Sequence, residues 1–207
     1  MSRVLSHIVQ KRFSQINEDV ATDALAYILE SSPAASNGMR KLLCGLVPGL
    51  SVLKFKTQEA EGIIRPDMWG YEGTEPRVFI ENKFWAGLTD NQPVNYLKQL
   101  AAYSKPSILL LVAPAPRQHT LWSELQRRVI EAGFSLDYLQ DAAGIHSSAR
   151  TSIGPTLAVT SWENILSALE HETIDAPTMN APSTFLIAWA PGKVGNSCYE
   201  KNLYKPN

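Results

Sequence analysis

Cysteine is scarce in this chain: Cys44 and Cys198 are the only two among 207 residues, far apart and without metal-ligand spacing. That excludes a disulfide framework and a thiolate zinc site, and makes free thiols in a reducing compartment the default. No apolar run approaches the roughly 20 residues that a membrane-spanning helix needs, so no membrane partner is expected. Met1-Ser2-Arg3-Val4 lacks the apolar core of a signal peptide, so a cytoplasmic location is expected. Charge of one sign is also missing. The formal net charge of −1 argues against a strong whole-molecule field for nucleic acid, though it leaves room for a local basic strip. His7, His119, His146 and His171 are scattered, with no pair at zinc-ligand spacing. There is no Gly-x-Ser-x-Gly, no Cys with a nearby His and no phosphate-cradling Gly-rich loop. Nucleophilic Ser or Cys catalysis and intrinsic NTPase activity therefore have no support.

What is present reads as an ordinary globular domain, with 44% hydrophobic and 19% charged residues and no repeat or low-complexity tract. Apolar residues at Val20, Ala21, Ala24, Leu25, Ile28 and Leu29 have helical spacing, and Asn17 suits the N-cap of a helix closed by Ser32-Pro33. A second helix is expected from Asn37 to about residue 46. Strands are expected over 51–57, over 62–65 and over 77–85, with 70–76 as a turn-rich connection. A helix follows from about Asn91 to 104, with Pro93 in its first turn. The run 108–113, bounded by Pro106 and Pro114, suits a strand buried on both faces. A helix over 118–132, a short strand at 157–159 and a helix over 162–170 with a Thr160/Glu163 capping box complete the pattern. The order predicts an α/β fold with a mixed central β-sheet flanked by helices. Residues 1–175 read as that domain; residues 176–207, rich in Pro and Gly, read as an irregular tail or arm.

The chemistry concentrates in Arg65-Pro66-Asp67 and Phe79-Ile80-Glu81-Asn82-Lys83-Phe84. Strand alternation puts Glu81 and Lys83 on one face and Ile80, Asn82 and Phe84 on the other. An acid and a cation sharing one face of an apolar strand, opposite a second acid from the preceding turn, are parts for holding a divalent metal against a phosphodiester. Asp67, Glu81 and the backbone carbonyl of Asn82 could supply oxygens to Mg²⁺, and Lys83 could orient a water or offset developing charge. The bland alternative is an exposed strand pair and a turn aspartate.

Two helices carry further candidates. Glu18 falls on the core-facing side of its helix with Ala21, Leu25 and Leu29, whereas Asp19, Asp23 and Glu30 fall on the polar side. A carboxylate aimed at a core needs a partner, and a metal is one; a favourable charge at a helix N-terminus is the other reading. Gln92, Tyr96, Gln99 and Tyr103 form one stripe, two Gln-x-x-x-Tyr units in succession. Such a stripe can hydrogen-bond a phosphate or a water and stack on a base, or simply form a polar rim. Lys54 and Lys56, sharing a strand face, are candidate phosphate contacts. Trp69 and Trp85, each two residues beyond a motif, are expected to wall the site. Arg117, Arg127 and Arg128 read as a solvated helix face or as backbone contacts.

Together these residues resemble the PD-(D/E)XK nuclease superfamily. Pro66-Asp67 matches its first half-motif and Glu81-Asn82-Lys83 its (D/E)XK. Gln92 to Tyr96 resembles the QxxxY element of the branch that includes RecB-like and lambda-exonuclease-like nucleases. Glu18 resembles the helix-borne acid that precedes the core strands in many members. The stretch 79–97 is similar to prokaryotic members, some associated with defence against phage. The resemblance spans about residues 14–170. It implies a restriction-endonuclease-like core and hydrolysis of DNA dependent on Mg²⁺, for which Mn²⁺ can substitute. It implies Glu18, Asp67 and Glu81 as metal ligands, Lys83 as the catalytic lysine, and Gln92 and Tyr96 as supporting residues. Gln99 and Tyr103 repeat the spacing; the first pair is preferred because it lies nearer Lys83. A homodimer or a protein partner is compatible with this reading. So is an inactive or partner-dependent nucleic-acid-binding or sensor subunit on the same fold.

Overall fold

Every residue of the strand Ile108–Ala113 is buried, and its alternate side chains feed two separate apolar cores. Ile108, Leu110 and Val112 enter one; Leu109, Leu111 and Ala113 enter the other. A strand covered on both faces must be apolar throughout, which is why this segment carries no alternation. These facts come from a computed structural model that describes residues 17–173, apart from Gln58, Trp85 and Asp141 and the side chains of Asn17, Glu18 and Thr173.

In chain order the elements are α1 (Asn17–Ser31), α2 (Pro33–Cys44), β1 (Lys54–Thr57), β2 (Met68–Glu72), β3 (Glu75–Asn82) and α3 (Val94–Ala101). They continue with β4 (Ile108–Ala113), a short 3-10 turn (Ala115–Arg117), α4 (Gln118–Glu131), β5 (Leu136–Tyr138), β6 (Ser147–Thr151), β7 (Thr156–Ser161) and α5 (Trp162–Thr173). One seven-stranded sheet runs β1-β2-β3-β4-β7-β6-β5. The central strands β3, β4 and β7 are parallel and the flanking pairs antiparallel. Leu25 of α1, Leu43 of α2 and Ile165 of α5 pack on the first face of the sheet. Leu97 of α3 and Leu125 of α4 pack on the second. The α/β class, the mixed sheet and the helical layers are those expected from the sequence.

Several boundaries differ. Ser32-Pro33 does not only close α1; it opens α2. Ser32 Oγ accepts the Ala35 N–H at 3.2 Å, and Pro33 stands at the first helical position, where its missing N–H costs nothing. α2 therefore starts four residues before the expected Asn37. Within α2, Gly38 packs against α5, where a Cβ would lie 2.5 Å from the Ala168 carbonyl oxygen.

The segment 62–65 is no strand but a turn closed by an isolated bridge between Glu61 and Ile64. The second strand lies later, over the expected connection, because Gly73 at φ 67° completes a tight hairpin between β2 and β3. Ser161, not Thr160, caps α5: its Oγ accepts the Asn164 N–H at 3.1 Å, while the Thr160 hydroxyl donates to the Gly144 carbonyl at 2.5 Å. β5 and β6 were not expected. Their polar sequences, Leu-Asp-Tyr and Ser-Ser-Ala-Arg-Thr, are strands because they pair outward from β7, a tertiary effect that outweighs weak intrinsic preference. The arm at 176–207 lies outside the described residues.

Candidate active site

The β2–β3 hairpin builds the site. Its register pairs Met68 with Ile80, so Asp67, the residue before β2, arrives beside the end of β3. There Asp67 Oδ2 accepts the backbone N–H of Asn82 at 2.7 Å. Strand alternation separates the neighbours as expected. Ile80 joins the first-face core, and the Asn82 amide on that face donates to Thr22 Oγ1 of α1 at 2.5 Å. Glu81 and Lys83 go to the second face. Asn82 thus brings only its main chain to Asp67. Just beyond β3, the Lys83 N–H donates to the Val112 carbonyl at 2.8 Å, which keeps this residue on the sheet.

Glu81 is 4% exposed. Its Oε1 lies 2.9 Å from Lys83 Nζ and accepts from Gln92 Nε2 at 2.5 Å. Its Oε2 is buried and has no hydrogen-bond partner. Burial pushes the Glu81 carboxyl above its ordinary range, opposed by the ammonium of Lys83, by Gln92 and by the nearby Asp67 backbone amide.

Gln92 reaches Glu81 from the turn before α3, with its own Oε1 accepting the Thr89 N–H at 3.2 Å. Tyr96, one turn later, donates to the Arg65 carbonyl at 3.0 Å and stands 3.4 Å from Gln92 Nε2. Burial and the negative charges of Glu81 and Asp67 push its hydroxyl up to about 12, so it remains a neutral donor. Tyr96, on α3, therefore ties the chain entering Asp67 to the helix that follows Gln92. The second pair repeats the internal contact, Gln99 Nε2 to Tyr103 Oη at 3.4 Å, but Tyr103 donates to Glu61 at 2.6 Å. Of the two Gln-x-x-x-Tyr units, only Gln92–Tyr96 bonds to Glu81.

One supporting residue was not read as such in the sequence. Arg128 of α4 donates to the carbonyls of Thr89 at 2.5 Å, Gln92 at 2.9 Å and Leu88 at 3.2 Å, and its Nε pairs with Glu124 at 2.7 Å. It clamps the turn that carries Gln92. Nothing in its spacing distinguishes it from Arg127, which makes exposed pairs with Glu124 and Glu131.

Other expectations fare differently. Trp69 is core: 2% exposed, tilted on Phe79 at 4.3 Å, with its indole N–H donating to the Glu59 carbonyl at 3.0 Å. It offers no face to a base; Trp85 lies outside the described residues. Lys54 and Lys56 are exposed on β1, on the opposite side of that strand from buried Phe55. Lys56 is paired with Glu59 at 2.8 Å and sits over the Tyr71 ring at 5.1 Å, so its charge is already engaged. The α1 face predicted for Glu18 is buried at Ala21, Leu25 and Leu29. Position 18 lies one turn before Thr22 on that helix, but its side chain is among those not described.

Two carboxylates at the end of one hairpin, one of them with a buried oxygen lacking a partner, suit a hard divalent cation. Among the described residues, however, no three acidic, histidine or cysteine side chains stand together as a complete metal cage. No described helix is long and apolar enough to cross a membrane.

No family model, curated protein or solved structure matches the chain.

Proposed function

We propose that this chain is a metal-dependent nuclease of the PD-(D/E)XK type, built on a restriction-endonuclease-like core and hydrolysing phosphodiester bonds of DNA. The observation that carries the proposal is Glu81: a buried carboxylate with one oxygen held by Lys83 and Gln92 and the other without a partner, next to Asp67. A buried polar oxygen left unsatisfied costs about 1–3 kcal/mol, which a cation would relieve.

Asp67, Glu81 and the Asn82 carbonyl would hold Mg²⁺ or Mn²⁺, with Glu18 as a further ligand. When bound, the ion would neutralise phosphate charge and acidify a water. The chain supplies the rest. The Asn82 N–H fixes Asp67 and Gln92 fixes Glu81, so neither carboxylate must reorganise. Lys83 brings a cation to the phosphate oxygens. Water adds to phosphorus, one P–O ester bond breaks, and the leaving oxygen takes a proton. No covalent enzyme intermediate is involved. The test is cleavage of linear, circular and single-stranded DNA with Mg²⁺, Mn²⁺ or EDTA: cutting that requires metal and disappears in Lys83→Ala supports the proposal. Metal-independent cutting, or cutting retained by that variant, overturns it.

The closed Lys83–Glu81 pair favours a second reading. Its side chains are only 7% and 5% exposed, so a phosphate reaches them only after local opening. A subunit that cuts only when a partner opens the pair, or one that binds nucleic acid without cutting, fits that geometry. Inactivity alone, followed by cutting once a partner protein is added, selects it.

A further inference from the structure

Beside the site, a groove of about 510 Å³ runs between α3 and the turn at 61–64. Its two walls differ in chemistry. The α3 wall presents Asn95, Lys98 and Gln99 at helical spacing, with no carboxylate among them. Asn95 Nδ2 donates to Asn91 at 2.9 Å, Gln99 Nε2 to Tyr103 at 3.4 Å, and Lys98 Nζ lies 5.8 Å from the Phe134 ring centroid without a carboxylate partner among the described residues, so each side chain keeps further N–H groups to donate. The opposite wall is the turn, with Ile64 buried beneath it and Ile63 at its tip, 71% exposed.

An isoleucine that open to water is unremarkable on a loose loop, but this turn is held at three points. Glu61 and Ile64 exchange backbone hydrogen bonds of 3.1 Å in both directions. The Ile63 carbonyl accepts from Asn91 Nδ2 at 3.2 Å, and Glu61 accepts from Tyr103 at 2.6 Å. Gly62, at φ 61°, makes the reversal possible. The tip is thus braced to present an apolar side chain over a groove whose other wall donates hydrogen bonds.

A single nucleic-acid strand has that division: phosphates along one side and flat apolar base faces along the other. Ile63 is four residues upstream of Asp67, at most about 14 Å along an extended chain. A strand in the groove therefore passes within a nucleotide or two of Asp67. We propose that this groove is the track for the substrate strand, with Lys98, Asn95 and Gln99 on its phosphates and Ile63 against the base adjoining the reactive phosphate. The proposal rests on the nuclease reading above and moves the main nucleic-acid contact from the β1 lysines to α3. Glu61 is the one acid in the groove; its carboxylate faces the Tyr103 hydroxyl.

The test is binding of a short single-stranded DNA by the full chain with Ca²⁺ in place of Mg²⁺, across a range of salt. Ile63→Ala, at an exposed position, is expected to weaken binding by up to about tenfold, the low end of the scale for an aromatic ring stacked on a base. Ile63→Trp should restore or strengthen it. Lys98→Ala should lower the slope of log affinity against log salt by about one. If both variants bind like wild type while the chain still cuts DNA, the groove proposal falls and the nuclease reading stands. If wild type neither binds nor cuts any nucleic acid, both fall. If Ile63→Ala instead changes the oligomeric state, the tip is a protein contact and the proposal is wrong.

Discussion

Lys83 Nζ sits 2.9 Å from Glu81 Oε1, with side-chain exposures of 7% and 5%. A pair that deeply buried contributes less than its Coulomb attraction suggests, because both charges have left water. Removing one partner alone is another matter. Lys83→Ala leaves a carboxylate buried without its cation and is expected to cost about 3–5 kcal/mol at neutral pH, beyond abolishing cleavage. Adding Glu81→Gln removes the stranded charge, so the double variant should recover much of that stability while staying inactive. Urea unfolding of the wild type, both singles and the double measures the coupling. Strictly additive losses would mean that the two side chains do not meet.

The two Gln-x-x-x-Tyr units give a second prediction. Gln92 bonds to Glu81 and Tyr96 to the chain leading to Asp67; Tyr103 bonds to Glu61, and the Gln99 side chain to Tyr103. Replacing a residue that orients a metal ligand typically lowers activity about 10–100-fold. Gln92→Ala and Tyr96→Phe are expected in that range, with the loss in kcat. Tyr103→Phe should leave kcat nearly unchanged. Equal losses from the two tyrosines would remove the distinction drawn between the pairs.

That distinction was beyond the sequence, where both units have the same spacing and only proximity to Lys83 favoured the first. What spacing does encode is which side chains share a face: Glu81 with Lys83, and Asn82 with the other core, all follow from alternation along β3. The apolar run of β4 is equally plain. What spacing cannot encode is a contact made across the fold. Arg128 and Arg127 are adjacent on the helix, yet one clamps three carbonyls and the other pairs with its own helix. β5 and β6 were illegible for a related reason, since pairing with β7 rather than their own residues makes them strands. Ser32 shows a local ambiguity: a Ser-Pro step ends one helix and starts the next with the same atoms.

Acid stability provides a third prediction. Glu72, 12% exposed at its side chain, is held at about 2, well below its ordinary 4.5, first by Lys105 at 2.8 Å, then by the Ser51 side chain and, more weakly, by the Ser51 amide, which donates at 2.9 Å. Arg77, 2% exposed, pairs with the same carboxylate. Because the folded pKa is depressed, the unfolded chain takes up the proton first as pH falls. The stabilisation from Glu72 is fully present above pH 4.5 and is lost between about 4.5 and about 2. Glu72→Gln should flatten that part of the stability curve. At neutral pH it should also cost about 3–5 kcal/mol, because Arg77 is left buried without its counter-charge. Thermal unfolding of both proteins across this pH range is the measurement. An unchanged acid slope in the variant would show that Glu72 is not what titrates.

Arg128 offers a test of positioning at a distance from the carboxylates. Its guanidinium spreads donors over the carbonyls of Leu88, Thr89 and Gln92, a fork that a lysine ammonium cannot reproduce. Each such charge-assisted bond contributes about 1.5–3 kcal/mol in favourable settings. Arg128→Lys should therefore loosen the turn at 88–92 while leaving the sheet intact. Hydrogen exchange should quicken at the Gln92 amide, which bonds to the Thr89 carbonyl at 3.1 Å. Cleavage should fall about 10–100-fold through kcat, the usual scale for a residue acting behind a metal ligand. DNA affinity should change less than kcat, because Arg128 does not itself line the groove at 61–64. Were exchange to quicken while kcat stayed at the wild-type value, Gln92 would not need a fixed turn to do its work on Glu81, and its place in the site would have to be abandoned.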